Sequence, residues 1–259
     1  MSQDRCLDRV RACPPFGELS DFAFDELLPP TTRARSAVHW TPLAVALHVA
    51  RRFAESGVRR VLDVGCGPGK FCVAAGFADP ELNFCGVDLN FGLIATARNL
   101  AKRLNLRNAE FSVGDALGMP WGEFDGFYFF NPFARSASDG LYGIARLSDA
   151  HRLIRGAELL ASARVGATII TYHGLGGLIP SSYELATEEH VGSGPVRTWI
   201  KTKSREAAWY HLDIHNVSRI SRKYLERKLQ AETPTAGSRC RVSAFSTRAD
   251  RTNFSSRGI

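Results

Sequence analysis

The segment VLDVGCGPGKF, Val61 to Phe71, places an acid, Asp63, two residues before the first of three alternating glycines, Gly65, Gly67 and Gly69. Glycines let a backbone turn tightly and approach a ligand, and the helix that follows starts with unsatisfied N–H donors. A dinucleotide loop would need G-x-G-x-x-G; counted from Gly65 its third glycine falls at position 70, which is Lys70, so that spacing is missed. Two further acids follow: Asp88 in FCGVDLN, 23 residues after Gly65, and Asp115 in SVGDAL. Downstream, FDGFYFFNPFAR carries Asn131, Pro132 and Phe133. Each has a plain structural role open to it. Asp63 can order the turn, Asp88 cap a helix and Asp115 bond a loop, while N-P-F can end a strand.

These residues need a scaffold that brings them together. Thr41-Pro42 predicts a helix start, with Thr41 as cap and Pro42 at the first helical position, running to about Ser56 before Gly57. Arg60 to Val64 reads as a short apolar strand entering the glycine loop. The alternation continues with helix 71–78, strand 83–87, helix 91–104, strands 109–113 and 126–130, a helix over about 141–163 and a β-branched run at 167–172. Segments 183–191 and 196–201, joined by G-S-G-P, read as a hairpin. The expected fold is therefore α/β: a doubly wound, mostly parallel seven-stranded sheet with a C-terminal antiparallel hairpin and helices on both faces. In such a sheet the three acids fall at the carboxyl ends of consecutive strands, along one crevice where open α/β sheets bind ligands.

The glycine segment resembles the D/E-x-G-x-G-x-G signature of class I (Rossmann-like) S-adenosylmethionine-dependent methyltransferases. That resemblance implies roles for particular residues. The loop backbone at Gly65, Cys66, Gly67 and Gly69 would cradle the cofactor, with Asp63 facing its methionine ammonium. Asp88, with Leu89 beside it, would hold the ribose hydroxyls, and a carboxylate is the natural acceptor for two such donors. Asp115 and Ala116 would meet the adenine. N-P-F resembles a shortened N-P-P-[FY] of amino methyltransferases and stands close to the N-N-F-A-F of non-SET lysine methyltransferases. It implies that Asn131, Pro132 and Phe133 receive the acceptor amine, with Asn131 also beside the cofactor. The second proline is absent, and Arg135 stands in place of the last aromatic of the lysine pattern. VHWTPLAVA resembles the segment that closes over the methionine end of the cofactor in some amino methyltransferases, which adds Trp40 and Thr41 to the expected site.

Composition narrows the classes. The chain has 259 residues, 44% hydrophobic and 23% charged, which excludes wholesale disorder and collagen-like character. Six cysteines without a C-x-x-C pair, and histidines without matching spacing, predict no metal site and no disulfide scaffold, so a reducing cytoplasm is expected. His39 and His173, near strand ends, and Cys66 and Cys85 are read as ordinary loop and packing residues. The first residues, MSQDRCLDRVRAC, lack the apolar run of a secretory signal. The longest uncharged stretch, 165–183, holds several glycines, a proline and a histidine, so no membrane span is expected. The net charge of +7 is uneven. From Lys201 onward 13 Lys/Arg face 5 Asp/Glu, leaving 20 against 21 in the first 200 residues. The expected organisation is an N-terminal cap segment (1–36), a methyltransferase domain (37–217), and a basic helix with a disordered tail from about Thr233 (218–259).

The resulting expectation is methyl transfer from S-adenosylmethionine to a nitrogen on a protein or nucleic acid. A small-molecule acceptor, and a binding module that retains the cofactor without turnover, stand as alternatives.

Overall fold

The computed structural model describes residues 20–132, 150–204, 210–213 and 242–244. Ten strands are arranged as β1 (60–64), β2 (83–88), β3 (109–113), β4 (126–129), β5 (168–172), β6 (177–180), β7 (183–191), β8 (194–201), β9 (210–213) and β10 (242–244). Seven form the main sheet in the order β3-β2-β1-β4-β5-β8-β7. The first five run parallel, while β8 pairs antiparallel with both β5 and β7. The expected doubly wound sheet with its antiparallel hairpin is therefore the observed one. Tight reversal between β7 and β8 needs only Gly192 and Ser193, and Gly192 takes the left-handed φ of +62° that such a turn demands.

Strand periodicity divides the core in two. Along β1, Val61 faces one layer and Leu62 and Val64 the other. The first layer is closed by α4 (43–55), α5 (70–78) and α6 (91–103), through Val45, Val49, Phe53, Phe71 and Ile94 among others. The second is closed by α7 (150–162) and the short 3₁₀ turn at 121–123, where Trp121 stacks on Phe127. After Lys70, α5 is apolar all round, and residues 70–76 are all buried, which is what a helix clasped between α4 and the sheet requires.

Three short helices precede this core: α1 (21–25), α2 (30–33) and α3 (36–39). Phe24, Leu27 and Leu28 insert into the first core layer, so the segment packs on the domain.

Several expectations are corrected. Thr41 does not cap α4. The helix begins at Leu43, Pro42 is the extended residue before it, and the Leu43 N–H is taken by Asp21 Oδ1 at 2.9 Å. A helix-start signal in sequence is blind to a carboxylate 22 residues upstream. Strand β6 was not foreseen; it pairs with β9, and β9 with β10, in a second three-stranded sheet. Within the stretch expected to be disordered, Val242–Ala244 thus forms a strand. The remainder of that stretch, the basic helix from Ser218 and residues 141–149 of the expected helix lie outside the described residues.

Candidate active site

At the carboxyl end of β1 the chain turns through Gly65, Gly67 and Gly69, with φ of +76°, +56° and +77°. These left-handed conformations are costly for any residue with a Cβ. Space is limiting too. A Cβ on Gly65 would sit 3.2 Å from the Pro132 Cβ, one on Gly67 2.6 Å from the Trp40 ring, and one on Gly69 2.6 Å from Phe111. The loop is thereby packed between the end of β4 on one side and the N-terminal segment on the other.

Asp63 lies beneath the loop, 3% exposed, with the Cys72 thiol donating to its Oδ2 at 3.2 Å. Burial pushes its carboxyl up to about 7; the thiol bond opposes the rise and the Asp88 charge adds to it. Cys72 and Cys66 are themselves pushed well up, first by burial and then by the Asp63 charge, so both stay protonated thiols. That agrees with reading Cys66 and Cys85 as packing residues, and Cys66, Cys72 and Cys85 are all free. A carboxyl so poorly solvated is complementary to a cation presented from the loop side.

Asp88 ends β2 half-buried. Its Oδ2 accepts the Gly67 N–H at 3.0 Å and its Oδ1 the Asn90 N–H at 2.8 Å, so the acid ties the glycine loop to the start of α6. The helix cap expected as its plain role falls instead to Asn90, which accepts from Leu93 N–H. Leu89 beside it is 69% exposed, an apolar surface at the crevice rim. Asp115 caps a second 3₁₀ turn, 116–118, by accepting the Leu117 N–H, and Arg152 at the start of α7 grips it at 2.7 and 2.9 Å. The Arg152 hydrogen bonds hold its carboxyl below the ordinary range. Ala116 O accepts the Trp121 indole N–H at 2.7 Å, so its carbonyl is committed to the fold.

Asn131 follows β4 with φ of +49°, and its N–H donates to Gly174 O beyond β5 at 3.0 Å. Its side-chain Oδ1 is buried and has no hydrogen-bond partner among the described residues. A buried amide oxygen left unpaired is expensive, and such residues concentrate where a ligand completes the set. Pro132 packs on Gly65. Phe133 lies outside the described residues. Thr41 is buried and shares a 3.0 Å hydrogen bond with the Tyr128 hydroxyl of β4, whose ring stacks on Phe71 with centroids 3.9 Å apart. Trp40 covers Gly67 while its indole N–H donates to Thr32 O at 2.9 Å.

The structure therefore assembles Trp40, Thr41, Asp63, the glycine loop, Asp88, Asn131 and Pro132 at one edge of the sheet, with Asp115 at the next strand end. Sequence reasoning missed Lys70, which it treated only as a break in the dinucleotide spacing. The signal was present: a lone charge opening the apolar helix KFCVAAGFA needs a buried partner, and DFAFD supplies two acids four residues apart. His173, read as an ordinary loop residue, takes a left-handed φ of +55°, and its ring would come within 2.1 Å of a Cβ on Gly194. Among the described residues no group of His, Cys, Asp and Glu is placed to hold a metal, and no helix is long and apolar enough to cross a membrane.

Residues 56–173 match a family model described as a methyltransferase domain. The ribosomal RNA large subunit methyltransferase G of Streptomyces coelicolor is 35% identical over 119 residues, 44% of this chain and 31% of that protein. The tRNA (guanine-N(7)-)-methyltransferase of Rubrobacter xylanophilus is 43% identical over 54 residues, 21% of this chain and 24% of that protein. A solved methyltransferase from Geobacter sulfurreducens superposes with a TM-score of 0.47 at 18% identity, covering 70% of this chain and 93% of that one. The chain spans about a third or less of the length of these two curated relatives. The matched family model spans the glycine loop and the ends of β1 to β5, so residues 56–173 carry a methyltransferase domain.

Proposed function

We propose that the protein transfers a methyl group from S-adenosylmethionine to a nitrogen of a nucleic acid. One observation carries the acceptor half of this reading: the buried, unpaired Oδ1 of Asn131 in a left-handed residue at the end of β4. An amide oxygen there accepts a hydrogen bond from an N–H of the acceptor and aims the nitrogen's lone pair along the transfer line. A protonated amine has no lone pair, so a dry site that favours the neutral form assists the reaction.

The cofactor half rests on fit. Asp63 offers a buried carboxyl for the methionine ammonium, the glycines leave their backbone open to close approach, and Asp88 keeps lone pairs for the ribose hydroxyls beyond its two backbone bonds. When bound, the cofactor supplies a methyl group on an electrophilic sulfonium. The chain's own task is then to hold acceptor and donor in line and exclude water, with Trp40, Thr41 and Pro132 as walls and no covalent intermediate. Phe133 is included as the residue packing on the acceptor, from the N-P-F resemblance.

Nucleic acid is preferred to protein because the named substrates of the two curated relatives are ribosomal and transfer RNA. The basic excess after Lys201 suits phosphate. We place the work in a reducing cytoplasm, consistent with the buried free thiols, and take the domain to extend over 37–217 with a cap before it and a basic tail after it.

The test is transfer of labelled methyl from S-adenosylmethionine into cell RNA and protein fractions, followed by nuclease and protease digestion. Nuclease-sensitive label in a methylated base nitrogen is the expected result. Protease-sensitive label would replace the acceptor with a protein amine, label in neither polymer would point to a small molecule, and binding without transfer would leave a cofactor-binding module.

A further inference from the structure

Lys70 is the first residue of α5, directly after Gly69, and is 2% exposed. Nothing about the helix asks for it. A cation at a helix N-terminus opposes the macrodipole, and the rest of the helix is apolar. Its ammonium is held by three groups from the N-terminal segment: Asp21 Oδ1 at 2.6 Å, Asp25 Oδ1 at 2.7 Å and Ser36 Oγ at 3.1 Å. The Phe24 ring lies 5.7 Å away beneath it. Asp25 and Ser36 are themselves buried, so the node is a desolvated cation with a nearly closed set of acceptors.

The same carboxylate that meets Lys70 also takes the Leu43 N–H, so Asp21 joins α1, the start of α4 and the start of α5 at one point. Between Asp21 and Leu43 the chain passes over the glycine loop. Trp40 rests on Gly67 closely enough to exclude a Cβ, and Thr41 bonds Tyr128. The segment 20–42 is thus fastened on both sides of the loop, by Lys70 and Asp21 on one side and by Thr41 on the other.

We infer that Lys70 is a positioning residue for the cofactor site, seating residues 20–42 as a strap whose Trp40 and Thr41 wall the glycine loop. This deepens the methyltransferase reading and rests on it. Buried ion pairs contribute little net stability compared with apolar packing, yet breaking one strands a charge. The value of this node lies in register: three acceptors around one ammonium admit one placement of the strap, whereas an apolar contact would let it slide. Lys70 touches neither cofactor nor acceptor in this scheme and acts through Trp40.

The experiment compares wild type, Lys70→Met and Asp125→Asn. The last removes a buried carboxylate charge at the opposite end of the sheet, where Asp125 accepts from Arg59, Arg60 and Arg164, and so controls for general destabilisation. Binding of S-adenosylhomocysteine is measured by calorimetry. Trypsin cleavage after Arg33 and Arg35, both exposed in the strap, is followed by mass spectrometry with and without the same ligand. The expected result for Lys70→Met is affinity down by about tenfold and faster strap cleavage, with cooperative unfolding retained and Asp125→Asn within about twofold of wild-type affinity. S-adenosylhomocysteine should slow cleavage of the wild-type strap.

Wild-type affinity or wild-type cleavage in Lys70→Met would overturn the assignment, as would an equal affinity loss in Asp125→Asn. Should Lys70→Met fail to fold, Asp25→Asn, which keeps the Asp21 pair, is expected to show the same two changes more weakly, and their absence would overturn it. Should the wild type bind no S-adenosylhomocysteine, the cofactor reading falls, and the role proposed for Lys70, which rests on it, falls too. Strap cleavage in Lys70→Met then shows only whether the latch itself exists.

Discussion

The Cys72 thiol donates to Asp63 Oδ2 across 3.2 Å, reaching a carboxyl sealed under the glycine loop. A thiol is a weak donor, so burial prevails and the carboxyl rises to about 7.

Cofactor affinity should therefore depend on pH around 7. Only the ionised carboxyl pairs with an ammonium, so S-adenosylhomocysteine is expected to bind about tenfold more weakly at pH 6 than at pH 8. Proton release on binding, seen by calorimetry in buffers of different ionisation enthalpy, checks this. A flat profile would remove Asp63 from the ammonium role.

Stability gives the opposite face of the same shift. A carboxyl raised from 3.8 to about 7 contributes fully below its unfolded value and loses that contribution as pH rises through about 7. Asp63→Asn should thus unfold at a higher temperature than wild type at pH 8, the gap closing toward pH 5, while losing cofactor affinity.

Asp88→Ala should weaken S-adenosylhomocysteine by about 1.5–3 kcal/mol, the worth of charged hydrogen bonds to hydroxyls, with some of the loss arising from the Gly67 and Asn90 N–H groups it releases. Asp88→Asn keeps an acceptor for those groups and is expected to fall between. Unchanged affinity in both variants would withdraw the ribose assignment.

Asn131 is best tested by Asn131→Gly, because glycine tolerates the φ of +49° and deletes only the amide. Methyl transfer should drop by about a hundredfold with S-adenosylhomocysteine affinity retained, since lost positioning of a reactant acts on turnover. Asn131→Ala should show the same loss and unfold more easily, by about 1–2 kcal/mol from left-handed strain. Full activity in Asn131→Gly would leave Asn131 as a strand terminator.

Gly69→Ala tests the loop as structure. Its Cβ would meet Phe111 at 2.6 Å and Ala97 at 2.8 Å in a residue at φ +77°. Overpacking and left-handed strain together predict a loss of about 2–5 kcal/mol, readable as a lower denaturant midpoint.

Much of this protein is local and was legible in order. Strands β1 to β5 announce themselves as short apolar runs, and the alternation with helices forces a parallel sheet whose carboxyl ends collect Asp63, Asp88, Asp115 and Asn131. The glycine spacing was equally readable, because each glycine answers a backbone requirement of its own position. What tertiary structure alone decided are the partnerships between residues far apart in the chain. Lys70 finds Asp21 and Asp25 some 45 to 49 positions earlier, Thr41 abandons a cap for Tyr128, and Asp115 is gripped by Arg152. No periodicity encodes such pairs, since their energy appears only once folding has removed both groups from water and left each the other's available partner. The raised carboxyl of Asp63 and the unpaired oxygen of Asn131 have the same origin: residue type names the group, and burial sets its chemistry.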